Sequence, residues 1–212
     1  MIFTIVSLDT LVIVAVFTAT DSYFPSIKEN QLMAHITLTN PNLPGMTGLL
    51  DYSKVTAVPL LNLAEALLRS DSSLSSVECE LIAAHVSYLN DCHFCHSSHA
   101  ATAVAHLGCD ASLIDDIKDN FASTPISPKL RALLDIATKV QIGGKNVLPE
   151  DIAKAREHNA TDREIHDTVL IAAAFCMYNR YVDGLGTWAP QQKEEYLEMG
   201  QEVALMGYER QH

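Results

Sequence analysis

Between Asn90 and His99 the chain reads N-D-C-H-F-C-H-S-S-H, which places Cys92, Cys95, His93, His96 and His99 within ten residues. If a helix opens at Cys92, each residue advances by about 100°. Cys95, His96 and His99 then share the side of Cys92, while His93 and Phe94 point elsewhere, Phe94 into packing. Two thiols at this spacing can meet as a disulfide, and the unpaired N–H groups and dipole of a helix start stabilise a thiolate. His99, one turn after Cys95, is placed to take a thiol proton. This is the pattern of a reactive cysteine pair. Zinc is the competing chemistry: Cys92, Cys95 and His99 could bind it with His96 or His93 as a fourth ligand, and His85 is the next nearest. Structural zinc ordinarily ties together two separated ligand pairs, and here the candidates lie within one short stretch, so redox chemistry is the preferred reading. An inert buried pair fits poorly with three flanking histidines.

The elements that must position the cluster are helical. A turn-rich stretch, Pro41 to Gly48, precedes them. An apolar stripe including Leu60, Leu61, Leu63, Ala64, Leu67 and Leu68 predicts a helix over 56–69. Ser75 with Glu78 forms a capping box for a helix ending near Asn90, and the cluster opens the next helix, which stops at Leu107-Gly108. Further helices are predicted over 129–141 and 149–158, and from the capping box Thr161/Glu164 to about Val182. An offset of 89 residues superposes I-A-A-H-V-S-Y-L-N (Ile82 to Asn90) on I-A-A-A-F-C-M-Y-N (Ile171 to Asn179) with four of nine positions identical, so an internal duplication of a helical hairpin is expected.

Composition narrows the function classes. With 26 acidic against 14 basic side chains, a net charge of -12 opposes binding to a phosphate backbone, and nucleic acid is excluded as a partner. The 212 residues are sufficient for one substantial core. Five cysteines, mostly single within apolar helical patterns, do not form a secreted disulfide framework, which points to the cytoplasm. Cys79, Cys109 and Cys176 carry no motif. Thr10 to Ala19 resembles the apolar part of a signal peptide, but no Lys or Arg precedes it and its uninterrupted run is too short to span a bilayer; no membrane partner is expected. Residues 1–40 are read as an extended N-terminal arm that could lie at a subunit interface, and 41–212 as the helical domain.

Glu80 followed by Cys92, Cys95 and His99 spells E-x11-C-x-x-C-x-x-x-H, which resembles the alkylhydroperoxidase D-like (AhpD-like) proteins within the carboxymuconolactone decarboxylase family. The variant N-x-C-x-F-C-x-x-x-H after a P-G turn and a Leu-rich helix is most similar to the peroxidase-related branch. The similarity runs from about Leu43 to Trp188 and includes Y-N-R-Y-V-D-G-L in the second half. It implies an all-α, AhpD-like fold assembled as a homo-oligomer, with no haem or flavin. The implied activity is reduction of a hydroperoxide by the cysteine pair, with a dithiol or thioredoxin-like protein as reductant. Cys95 would attack the peroxide and become a sulfenic acid, and Cys92 would resolve it as a disulfide. Glu80 and His99 would relay protons. The two sulfurs could act in the reverse order; the spacing to His99 favours Cys95. The best-known members carry His where this chain has Phe94. Without the resemblance, Glu80 beside Cys79, Leu81 and Ile82 reads as a solvated residue on an outer face. Asn179, Arg180 and Asp183 read as structural residues that pair with one another or cross an interface. A disulfide oxidoreductase, a redox or zinc sensor, and a scaffold with a vestigial site are the alternatives.

Overall fold

Two capping boxes set the frame. The computed structural model describes residues 34–108 and 126–209, so most of the arm expected over 1–40, the apolar run within it and Cys109 lie outside the described residues. These contain eight α-helices and no strand: α1 Gly45–Tyr52, α2 Lys54–Leu68, α3 Ser76–Leu89, α4 His93–Leu107, α5 Pro128–Ile142, α6 Pro149–Glu157, α7 Asp162–Gly184 and α8 Lys193–Met206. The expected all-α class is the observed one. At the start of α3 the Glu78 amide donates to Ser75 Oγ and the Ser75 amide to Glu78 Oε2. Thr161 and Glu164 repeat the arrangement at α7. Each pairing satisfies two donors that a helix start leaves free.

Two elements depart from the expectations. The turn-rich stretch already enters α1 at Gly45. α8 lies beyond the last element that the patterning identifies. It packs along α4 so closely that a Cβ on Gly200 would stand 2.6 Å from the Ala101 carbonyl carbon, so only glycine permits the approach.

α3 is the centre of the core. Cys79 to Ser87 are buried at every position, because α4, α5 and α7 all pack around this helix. A helix enclosed on all sides has no outer face, so Glu80, flanked by apolar residues, lies inside. Ile82, Val86, Leu133, Leu134, Ile136, Ile171 and Phe175 fill the space around it. Where α3 meets α7, Asn90 donates to Asn179 Oδ1 at 2.8 Å and stands 3.6 Å from Cys176 Sγ, while Asn179 donates to Ser87 Oγ at 3.0 Å. Asn90 and Asn179, like Ser87 and Cys176, are separated by the 89-residue offset. Each copy thus makes the contact that the other makes, the reciprocity that a two-fold relation produces.

Candidate functional site

The cluster sits at the first turn of α4. Asn90 ends α3, Asp91 turns the chain with φ 60°, and Cys92 is the N-cap of α4, its amide donating to Ser87 O at 3.0 Å. Cys95 is therefore the third residue of the helix, among amides without intrahelical partners. Both sulfurs belong to free, buried cysteines. They share a small core with Leu38, Leu49, Phe94, Val182 and Tyr196.

The two cysteines differ in what they face. Cys95 lines a cavity of about 610 Å³ together with His99, Phe94, Phe175 and Tyr208, whereas Cys92 does not line it. Leu60, Leu61, Ala64, Met46 and Met199 make the cavity mostly apolar, and Asp51, Glu195, Glu198 and Glu202 stand on its wall. The hydrogen bond between Cys92 and Cys95, followed by burial, holds the Cys92 thiol far above the ordinary range. Cys92 is thus kept protonated beside its partner.

Glu80 reaches the site from α3. It is fully enclosed, with 0% exposure, and accepts a hydrogen bond from His99 Nδ1 at 2.8 Å. With Nδ1–H committed to the carboxylate, the imidazole keeps its Nε2 lone pair as the available base. The Phe175 ring meets His99 edge-on at 4.5 Å between centroids, which fixes the ring plane. A third member is invisible in the spacing of the cluster. Tyr208, after α8, donates its hydroxyl to Glu80 Oε1 at 2.7 Å, and its ring stacks on His99 at 6.0 Å. Gly207, at φ 74°, turns the chain there, and a Cβ on it would lie 2.7 Å from Glu65 Oε2, the oxygen that accepts the Tyr208 amide at 2.6 Å. Burial and the Glu80 charge push the Tyr208 phenol well above its ordinary value, so it remains a donor.

The other histidines leave the site. His96 Nδ1 turns to Ala84 O at 3.0 Å and its ring tilts against Tyr88, so it does not share a cavity with His99 as the helical-face reading expects. The expected stripe is broad enough to touch two neighbours, and His96 falls on the α3 side. His93 Nε2 is 3.2 Å from Pro190 O, and His85 bonds Thr138 Oγ1 at 2.8 Å. Neither lines the cavity. Among the described residues no three His, Cys, Asp or Glu side chains converge on a metal position. Asn179 and Arg180 do not pair with each other: Asn179 bonds Asn90 and Ser87, and Arg180 donates to Cys176 O at 2.8 Å. Asn179 reaches across to the end of α3, whereas Arg180 folds back on the backbone of α7 itself.

Residues 59–139, the segment holding Glu80, both cysteines and His99, match the carboxymuconolactone decarboxylase family. The fold is similar to the alkylhydroperoxidase AhpD core of an uncharacterized peroxidase-related protein from Ralstonia eutropha JMP134, with 23% identity and a TM-score of 0.69 over 80% of this chain and 97% of that one. The fold is AhpD-like, and the segment that carries the cluster matches the carboxymuconolactone decarboxylase family. An uncharacterized peroxidase-related protein from Silicibacter sp. TM1040 is 27% identical with a TM-score of 0.65, over 73% of this chain and 78% of that one. No curated protein matches the chain significantly. No described helix of this AhpD-like protein is long and apolar enough to cross a membrane.

Proposed function

We propose that this AhpD-like protein is a thiol-dependent peroxidase that reduces an organic hydroperoxide at Cys95. The observation that carries the reading is the asymmetry of the pair: Cys95 opens onto the cavity beside His99, and Cys92 lies behind it. His99 takes the Cys95 proton at Nε2, and Glu80 holds the resulting imidazolium through Nδ1–H. The thiolate attacks the outer peroxide oxygen and the O–O bond breaks. The leaving alkoxide recovers the proton from His99 and departs as an alcohol, leaving Cys95 as a sulfenic acid. Cys92 then displaces the hydroxyl as water and forms the disulfide. A dithiol or thioredoxin-like protein returns the pair to thiols by exchange. Such reductants keep thiols reduced in the cytoplasm, where we place the protein. No haem or flavin takes part in these steps. The exposed apolar side chains Val55, Val58, Leu205 and Met206 support assembly with further copies of the chain.

The experiment follows consumption of cumene hydroperoxide with a dithiol in excess. Native protein is expected to turn over, and Cys95→Ser and Cys92→Ser are expected not to. Cys92→Ser should still be oxidised once, at Cys95, with the sulfenic acid trapped by dimedone. Native protein that forms a reducible Cys92–Cys95 disulfide with other oxidants but consumes no hydroperoxide would refute the peroxidase reading in favour of disulfide exchange.

A further inference from the structure

We infer that the cavity takes hydroperoxides whose organic group is neutral and turns away those that carry a carboxylate, with Glu195 and Glu198 setting the discrimination; this rests on Cys95 being the sulfur that meets the peroxide. The space in front of Cys95 is about 610 Å³ and lies in the range of pockets that enclose an organic ligand. A water-sized oxidant, which takes up roughly 30 Å³ in the liquid, would leave nearly all of it unfilled. Leu60, Leu61 and Ala64 of α2, with Phe94 of α4 and Phe175 of α7, supply the wall, so the part of the substrate beyond the peroxide meets apolar surface.

Two features of the wall act against an anion. The first is that its donors are already engaged. Thr47 gives its hydroxyl proton to Pro44 O, Ser98 to Phe94 O at 2.8 Å, Thr102 to Ser98 O at 2.9 Å and Tyr178 to Leu60 O at 2.8 Å, while Tyr208 gives its own to Glu80. Lys54 is the one lysine or arginine among the described wall residues, and it pairs with Asp51 at 3.0 Å. Apart from His99, which the reaction itself uses, no side chain of the described wall holds a proton ready for a carboxylate. An anion drawn inside would lose its water without a partner to offset the loss. The second feature is the sign of the mouth. Glu195 and Glu198 stand three residues apart on α8, hence on one face, and both are exposed where they line the cavity. With Asp51 and Lys54 answering each other, the field they set at the entrance is negative, the sign of the chain as a whole at -12. A neutral hydroperoxide passes that field freely, and an anionic one is repelled before it reaches Cys95.

Two pairs of probes differ in charge alone: para-carboxycumene hydroperoxide with its methyl ester, and N-(4-carboxyphenyl)maleimide with its methyl ester. Modification of Cys95 is timed in the Cys92→Ser background by mass spectrometry of the Cys95 peptide, with dimedone trapping the sulfenic acid in the hydroperoxide arm. Each rate is divided by that of free mercaptoethanol, which removes the probe's own reactivity. The maleimide adds directly to the thiol, so it reports the preference of the cavity even if the protein does not reduce hydroperoxides. The expected ester-to-acid ratio is at least about tenfold in both arms at about 0.01 M salt. It is expected to shrink at least about threefold at about 0.3 M salt, where charges are screened over a shorter distance, and equally in Glu195→Gln/Glu198→Gln. A maleimide ratio within twofold of unity would overturn the inference, and a ratio that the double variant leaves unchanged would overturn the part given to Glu195 and Glu198. A maleimide ratio as expected, with no dimedone adduct from either hydroperoxide, would remove the peroxidase reading and leave the discrimination in place.

Discussion

Tyr208→Phe isolates one oxygen in the proton relay that we propose. The ring that stacks on His99 stays, and the hydroxyl that donates to Glu80 Oε1 at 2.7 Å is lost. Glu80 is fully enclosed, so water cannot replace the donor without opening the core. A hydrogen bond to a charged group contributes about 1.5–3 kcal/mol net, and about 2 kcal/mol is the expected loss of stability. For a chain of this size that lowers the melting temperature by roughly 4–8 °C. The same oxygen helps to hold the carboxylate that fixes the His99 tautomer. If the whole loss is felt in the transition state, single-turnover oxidation of Cys95 by hydroperoxide slows by about 30-fold, and if half is felt, by about fivefold. Calorimetry gives the first quantity, and dimedone trapping in the Cys92→Ser background gives the second. A variant that melts with the native protein and oxidises at the native rate refutes the reasoning, because the hydroxyl would then hold nothing.

Other consequences follow from the same contacts. Glu80→Gln keeps the volume but offers an N–H to His99 where the carboxylate accepted one, which turns the imidazole to the wrong tautomer; stopped-flow oxidation of Cys95 should slow by about 10²-fold or more. Burial, opposed by the Asp135 charge, lowers His85 from 6.5 to about 4, so between those values the folded chain binds fewer protons than the unfolded one. Stability from His85 is full above pH 6.5 and is lost as pH falls through about 4, by roughly 3 kcal/mol in all, and urea titrations of His85→Gln across that interval should lack this slope. Asn179→Ala strands the Asn90 and Ser87 side chains at the α3–α7 contact and should cost about 2–3 kcal/mol in urea unfolding, with a double-mutant cycle against Ser87→Ala showing clear coupling.

What the sequence determined by itself is what short-range geometry governs. Ser75 with Glu78 and Thr161 with Glu164 mark helix starts because each box closes within one turn. Cys92, Cys95 and His99 fall together because a helical turn spaces them so, and the 89-residue offset marks two like helical segments, although the contact between Asn90 and Asn179 emerges only in the structure. The resemblance brought Glu80 to the same site; its neighbours alone gave it an outer face. Only the tertiary structure decided that α3 has no outer face, since three helices close around it and enclose Glu80. It also decided that His96 turns to α3 while His99 turns to the cavity, because one helical stripe meets two neighbours. Tyr208 is 128 residues from Glu80, and Asn179 reaches Ser87 across 92 residues. No local pattern encodes such contacts: they depend on the packing of α8 on α4 and of α7 on α3, which is fixed by side-chain shape and burial across the whole core.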